Sequence, residues 1–202
     1  MIAFRHMSTP KKATSRKTPQ YVYQLHVQLD GIEPAIWRRI WVPENLSLAK
    51  LDRVIQAAMG WGNMHLHAFQ IGDVRYGVPN EDWGSTDGLN DDTRFDVAAV
   101  LQNGPKQFVY TDDLGDDWRH TVTIESTLPV DEKNLLPLCI AGANACQPED
   151  VGGPPGYGEF LHAILDPIHA EHLAMWHWHG GPFDPASFDV NSANVALRKL
   201  RK

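Results

Sequence analysis

Asp113, Asp116 and Asp117 crowd three carboxylates into one short stretch, and Trp118 and His120 follow at once. Carboxylates held that close repel one another unless a cation, a base or a proton compensates. Two chemistries fit such a pattern. One is a hard-cation or acid–base site in which His120 carries the proton, giving a metal-dependent hydrolase that acts on nucleic acid. The other is a turn whose Asp side chains accept hydrogen bonds from its own amides, with Trp118 and His120 packed in the following strand. The second is the expectation here, and with it a protein that needs no metal, because Asp and Gly are common turn formers. The spacing matches no EF-hand loop, which continues to a Glu at its twelfth position.

A second motif, Pro148-Glu149-Asp150-Val151-Gly152-Gly153-Pro154-Pro155-Gly156-Tyr157, leads into a helix. Gly152 and Gly153 permit positive φ or close backbone approach, and Glu149 and Asp150 can accept hydrogen bonds from amides or from arginine. It is no phosphate loop, since it lacks the Gly-Lys-Ser/Thr ending and its two acids would repel an anion. It reads either as a loop folded over a site, with Glu149 and Tyr157 facing it, or as a connector whose carboxylates pin Arg38 or Arg39. The connector is the expectation, because Arg–carboxylate pairs are a common way to fix irregular loops. If the chain has a site, it lies between the Asp113–His120 stretch and the Glu149–Tyr157 loop.

Other chemistries find less support. Cys139 and Cys146 lack zinc-knuckle spacing, so a structural zinc would need a distant His. His65 and His67 would point the same way on a strand, and His169 and His172 would share a helix face, but no His-Glu-x-x-His occurs. No nucleophile elbow and no dinucleotide fingerprint is present, so no cofactor is implied. Trp37 and Trp41 flank Arg39 on one face of a strand, which suits cation–π stacking or an aromatic binding surface.

The elements that position these residues follow from periodicity. From Tyr21 to Leu29 the odd positions are Tyr, Tyr, Leu, Val and Leu, the period of a half-buried strand. Asp30-Gly31 supplies turn chemistry, Ile36 to Val42 reads as a second strand, and Pro43 stops it. Ser47 is an N-cap for a helix with Leu48, Leu51, Val54, Ile55, Ala58 and Met59 on one face, and Gly60 suits its C′ position. Strand, turn, strand and helix open an α+β domain in a β-grasp-like manner. Residues 66–71, 74–78, 107–111 and 118–125 read as further strands, and 95–101 as a short helix. Residues 126–156 read as an irregular, Pro- and Gly-rich covering loop, and helices over 157–165, 168–178 and 191–200 close a mixed sheet.

The chain of 202 residues suits one domain over residues 21–202, and a 43% apolar fraction is enough for a core. No apolar run approaches the ~20 residues needed to cross a bilayer, and no signal-like segment opens the chain, so a cytoplasmic location without membrane attachment is expected. Residues 1–20 hold five basic and no acidic side chains, leaving the rest with 13 basic against 25 acidic, a net of −12. That segment reads as a disordered basic tail, either an arm for nucleic acid or a solvated leader. The acidic body argues against sequence-independent DNA binding by the domain itself.

Ile36-Trp37-Arg38-Arg39, Asp113 to His120, Pro148 to Gly153, Gly156-Tyr157, Gly181-Pro182-Phe183-Asp184-Pro185 and Phe188 occur here in order. In this the chain resembles the plasmid pRiA ORF-three-like family, carried on plasmids and as passengers of insertion elements. Asp112 and Gln147 depart from that family's pattern, standing where an aromatic and a proline are usual. The resemblance implies a mixed α+β domain in a mobile-element setting and carries no activity with it. The reading is therefore an accessory binding or interaction domain of mobile elements with no demonstrable catalysis, its partner unknown and a protein one option.

Overall fold

The computed structural model describes residues 18–79, 88–101, 104–131 and 133–201. Residues 1–17, most of the expected basic tail, lie outside the described residues. The α+β architecture is one mixed sheet of eight strands, in the order β5-β4-β3-β6-β7-β1-β2-β8, with helices against it. The strands are β1 (Tyr21–Leu29), β2 (Trp37–Pro43), β3 (His67–Ile71), β4 (Val74–Gly77), β5 (Leu89–Asp91), β6 (Gln107–Asp112), β7 (Trp118–Pro129) and β8 (Leu138–Ala143). The helices are α1 (Leu48–Met59), α2 (Val97–Leu101), α3 (Gly153–Leu165), α4 (His172–His179) and α5 (Val190–Lys199). None of them is long and apolar enough to cross a membrane.

The alternation in β1 decides which face is covered. Leu25 lies opposite Ile40 on one side and Ile124 on the other, and Val27 opposite Arg38 and Val122. These residues join Leu48, Leu51, Val54 and Ile55 of α1 and Leu197 of α5 in one core. Towards the far end of the same face, Leu29 and Trp118 pack with Tyr157, Phe160 and Ile164 of α3. The opposite face is open and half-buried. There His26 stacks on Trp37 at 5.1 Å, Arg39 forks onto Glu125 at 2.6 and 2.7 Å, and Gln24 accepts a hydrogen bond from the Trp41 indole.

Helix α1 ends as its sequence predicts. Gly60 has φ +104, a left-handed conformation that favours glycine, and its N–H closes on the Gln56 carbonyl at 2.9 Å. Ser47 stands at the N-cap with no side-chain cap bond and forms a bridge with Asp96 instead. The strand after the helix, β3, pairs with β4 and β6, while the second neighbour of β1 is the antiparallel β7. The opening strand, turn, strand and helix thus belong to a mixed sheet of eight strands with its own order.

The covering loop expected over 126–156 is corrected in three places, the last being α3, which already begins at Gly153. β7 continues to Pro129, and Leu138–Ala143 forms β8 at the sheet edge, paired with β2. Small residues and flanking prolines hid this strand, because its packing role lies in what it leaves room for. A Cβ at Gly142 would meet the Phe188 ring and the Arg38 side chain at under 3.0 Å. Phe188 stacks on the Arg38 guanidinium, 4.0 Å from ring centroid to carbon. Arg38 is buried and donates to the carbonyls of Ala58, Trp37 and Ala143, so it staples the end of α1 to two strands.

Candidate functional site

The turn after β6 is built as an Asp-capped turn. Asp113 Oδ1 accepts from the Gly115 and Asp116 amides at 3.0 and 3.3 Å, and the Asp117 amide closes on the Asp113 carbonyl at 2.7 Å. Asp113 and Asp117 have φ of +49 and +56, a region that Asp tolerates better than most side chains. Asp117 also forms a surface ion pair with Arg119 at 3.0 Å. Asp116 reaches away from its own turn and accepts the Gly153 amide at 2.8 Å. That bond locks the turn to the start of α3, where Gly152 and Gly153 have φ of +90 and +70. A Cβ at Gly153 would press on the Asp116 carbonyl at 3.1 Å.

The second motif meets a third loop that the sequence reading left aside, residues 61–65 between α1 and β3. Trp61 Nε1 donates to the Gln147 carbonyl at 3.2 Å, and the Gly62 amide donates to Glu149 Oε1 at 2.6 Å. His65 Nε2 lies 3.2 Å from Asp150 Oδ1, and His65 Nδ1 lies 3.4 Å from Asp113 Oδ2. The two segments therefore run alongside each other, joined at three places. Among the described residues neither Glu149 nor Asp150 pins an arginine: Arg38 is held by carbonyls and Arg39 by Glu125, which corrects the connector reading. Arg38 was unavailable to the loop because its position in β2 turns it into the core.

His65, Asp113 and Asp150 offer ligand atoms within 4.8 Å of one another and could hold a metal ion. Cys139 and Cys146 are free thiols beside Arg38, and Cys146 lies against the Met59 sulfur. Burial pushes the Cys146 thiol up to about 11, which leaves it uncharged and a poor ligand.

Behind this surface cluster lies a buried polar network. His67 on β3 sits between Asp52 of α1 at 3.2 Å and Asp92 at 2.7 Å. Tyr110 donates to Asp52 at 2.8 Å, and Gln56 donates both to the Tyr110 hydroxyl and to Asp112. Burial works against a charge on His67, but the hydrogen bond to Asp92 and the field of Asp52 outweigh it and raise its pKa. Burial raises Asp112 to about 6, with the Gln56 hydrogen bond pulling the other way. Asp112 and Gln147 are both buried, so each helps to fill the interior.

The remaining site residues turn inward. Trp118 is buried against α3, and Tyr157 packs between Phe160 and Phe183, where burial pushes its hydroxyl up to about 12. His120 is 0% exposed, stands against Tyr110 and Trp61, and is pushed down to about 4 by burial. Neither of its ring nitrogens makes a well-formed hydrogen bond among the described residues, although backbone groups of Tyr110 and Trp118 partly offset the effect of burial. The hydrolase alternative required Asp113, Asp116 and His120 to converge on a solvent-reachable cleft. They do not: Asp113 caps its turn, Asp116 bonds Gly153, and His120 is in the core. The alternation of β7 that makes a half-buried strand is what takes His120 inside.

The fold and site define a single-sheet α+β protein whose loops bring His65, Asp113 and Asp150 together. The chain belongs to the family of plasmid pRiA4b ORF-3-like proteins, which it matches over residues 21–192. It is 41% identical over 181 residues to the uncharacterised protein y4hQ of Sinorhizobium fredii (strain NBRC 101917 / NGR234), covering 89% of this chain and 92% of that one. It is also similar to the crystal structure of a protein of unknown function, MM3350 from Methanosarcina mazei Go1, with a TM-score of 0.77 and 37% identity. That match covers 86% of this chain and 98% of the other.

Proposed function

We propose that the protein is an accessory binding domain of mobile elements, acting in the cytoplasm, that docks a basic segment of a partner protein at its acidic three-loop end. The observation that carries this reading is α4, a helix with no buried residue although it bears Leu173, Trp176 and Trp178. Ile168 just before it is 92% exposed. Apolar surface gathered on one element is characteristic of an interaction site. Beside α4 a cleft of about 260 Å³ is edged by Asp150, Glu159 and Glu171, with Phe160, Met175 and Trp178 in its wall. Three carboxylates attract a guanidinium or ammonium group, and an indole face adds cation–π attraction. The volume suits one long side chain rather than a drug-sized molecule. Asp150 belongs to this cleft and to the His65–Asp113 cluster alike, and Val151 and Gly156 of the second motif line the cleft beside it.

The test is calorimetric titration with an Arg-Leu-rich peptide and with the same peptide carrying Glu for Arg. Binding of the first alone, weakened by salt and lost in a Glu171→Lys variant that still melts like the parent, is expected. Equal binding of both peptides, or of neither, would sink the proposal.

A second reading is favoured by one observation, the clustering of His65, Asp113 and Asp150 donors within 4.8 Å. An imidazole with two carboxylates suits zinc or manganese. Elemental analysis beside a chelator-treated control decides it. Metal-dependent stabilisation that vanishes in Asp150→Asn would support the ion, and a melting temperature indifferent to added zinc or manganese would remove it.

A further inference from the structure

The body of the chain is acidic, yet two adjoining clefts along α1 and α5 are lined by positive charge alone. The first, of about 480 Å³, carries Lys50, Arg53 and Lys199 above an apolar floor that includes Leu200. The second, of about 410 Å³, shares Arg53, Lys199 and Leu200 with it and adds Gln56 and Trp61. No Asp or Glu lines either one. Among the described residues, Lys50, Arg53 and Lys199 form no ion pair. Arg201, held by the carbonyl of Pro137 in the wall of the first cleft, adds another positive charge nearby. Cations gathered in one groove repel one another unless an anion compensates. In a chain with 25 acidic side chains against 18 basic ones, none lines this groove; Asp52, buried on α1, is a carboxylate whose field reaches Arg53.

The far end of the groove says more about the anion. Trp61 supplies an aromatic wall on which a flat ring can rest. Gln56 stands in the same wall, 2% exposed. Its amide nitrogen is committed to Tyr110 and Asp112, which fixes the orientation of the amide. Its Oε1 has no partner among the described residues and is itself shielded from solvent, so a ligand N–H would reach it only after a small shift of the groove wall. Lys50 and Gln56 are six residues apart on α1, about 9 Å along the axis, a span on the scale of one nucleotide. A simple inorganic anion would use the cations and leave Trp61 and Gln56 unengaged.

We propose that this groove binds a nucleoside phosphate, with its phosphate held by Lys50, Arg53 and Lys199 and its base resting against Trp61. The phosphate contacts supply affinity without sequence preference, and the stacked base supplies the discrimination against bare phosphate. The same chemistry is offered by a free nucleotide and by the end of a single nucleic-acid strand.

The experiment is calorimetric titration of the full chain with adenosine monophosphate, adenosine, inorganic phosphate and a five-nucleotide deoxyadenylate, at low salt and at roughly threefold higher salt. Adenosine monophosphate or the oligonucleotide should bind at least about tenfold more tightly than adenosine or phosphate. The tighter of the two names the source as free nucleotide or strand end. The double variant Arg53→Glu, Lys199→Glu should lose at least about tenfold in affinity while keeping the parent's melting temperature. If that pair fails to fold, the exposed Lys50→Glu replaces it, with the same loss expected. The proposal is overturned if neither phosphate-bearing nucleoside probe binds at millimolar concentration. It is equally overturned if inorganic phosphate binds as tightly as adenosine monophosphate, or if charge reversal leaves affinity unchanged. Because the groove shares no residue with the acidic cleft at α4, loss of peptide binding in Glu171→Lys says nothing about it, and the two readings fail separately.

Discussion

Two histidines, two residues apart in the chain, each stand between two aspartates, and their surroundings make them different objects. His67 lies between Asp52 and Asp92, with side-chain exposures of 7%, 4% and 0%. His65 lies between Asp113 and Asp150, with 26%, 18% and 76%. In the core, water is absent, so a carboxylate that loses its partner has nothing to replace it, and the group is committed to the fold. At the surface, water competes for every contact, the pairing contributes little, and the carboxylates stay available to something that arrives from outside. The same residue types therefore hold α1 to the sheet in one place and form a receptive edge in the other. Depth decides which.

The largest effect should come from breaking the buried set. His67→Ala leaves Asp52 and Asp92 without the imidazole between them and should destabilise the protein by about 3–5 kcal/mol, read by urea unfolding at neutral pH. A loss below about 1 kcal/mol would mean that the buried set contributes no more than a surface pair, and the contrast would collapse.

Asp112 sharpens the comparison through pH. Its pKa is raised to about 6 in the folded protein, so its contribution to stability is complete below its ordinary pKa of 3.8 and is lost as pH rises through about 6. Asp112→Asn keeps an oxygen for Gln56 and removes the charge. It should stabilise the protein by on the order of 1–3 kcal/mol near pH 7.5 and make no difference near pH 4. His120 works in the opposite sense: with its pKa down at about 4, its contribution is present above 6.5 and lost as pH falls through about 4. In the parent the two slopes oppose each other between these limits. In Asp112→Asn that opposing slope is removed, although the raised Asp52 still works in the same sense, so stability should climb more steeply from pH 4 to 6.5 than in the parent. A climb no steeper than the parent's would show that Asp112 is not held neutral in the fold.

The surface set should yield far less. Asp113→Asn retains an oxygen for the Gly115 and Asp116 amides, and Asp150 is largely exposed, so either change to Asn should shift stability by no more than about 0.5 kcal/mol. A loss above about 1.5 kcal/mol from either would place the His65 cluster with the core after all. Smallest of all should be removal of residues 1–19. The Gln20 amide already anchors the start of β1 to Glu44 at 2.7 Å, so the melting temperature should stay within error.

Much of this was legible in the chain itself. The period of two from Tyr21 to Leu29 set which side chains of β1 face α1, and the apolar stripe of α1 with Gly60 after it set that helix's face and end. Asp113 and Gly115 announced a capped turn, and the ordered motifs announced the family. These are local properties: they follow from backbone preference and the spacing of apolar residues within a few positions, so the sequence carries them. Other features needed the folded chain. His65 joins Asp113 and Asp150 only because the 61–65 loop runs beside 147–150, a meeting of segments far apart in sequence. β8 was hidden because small residues between prolines carry little strand signal, and only the need to seat Arg38 and Phe188 explains Gly142. Whether a His between two Asp becomes core or edge is likewise decided by depth, and depth is set by which strands lie side by side. The residue types alone name the possible chemistry; burial and neighbourhood, which belong to the tertiary structure, select among the possibilities.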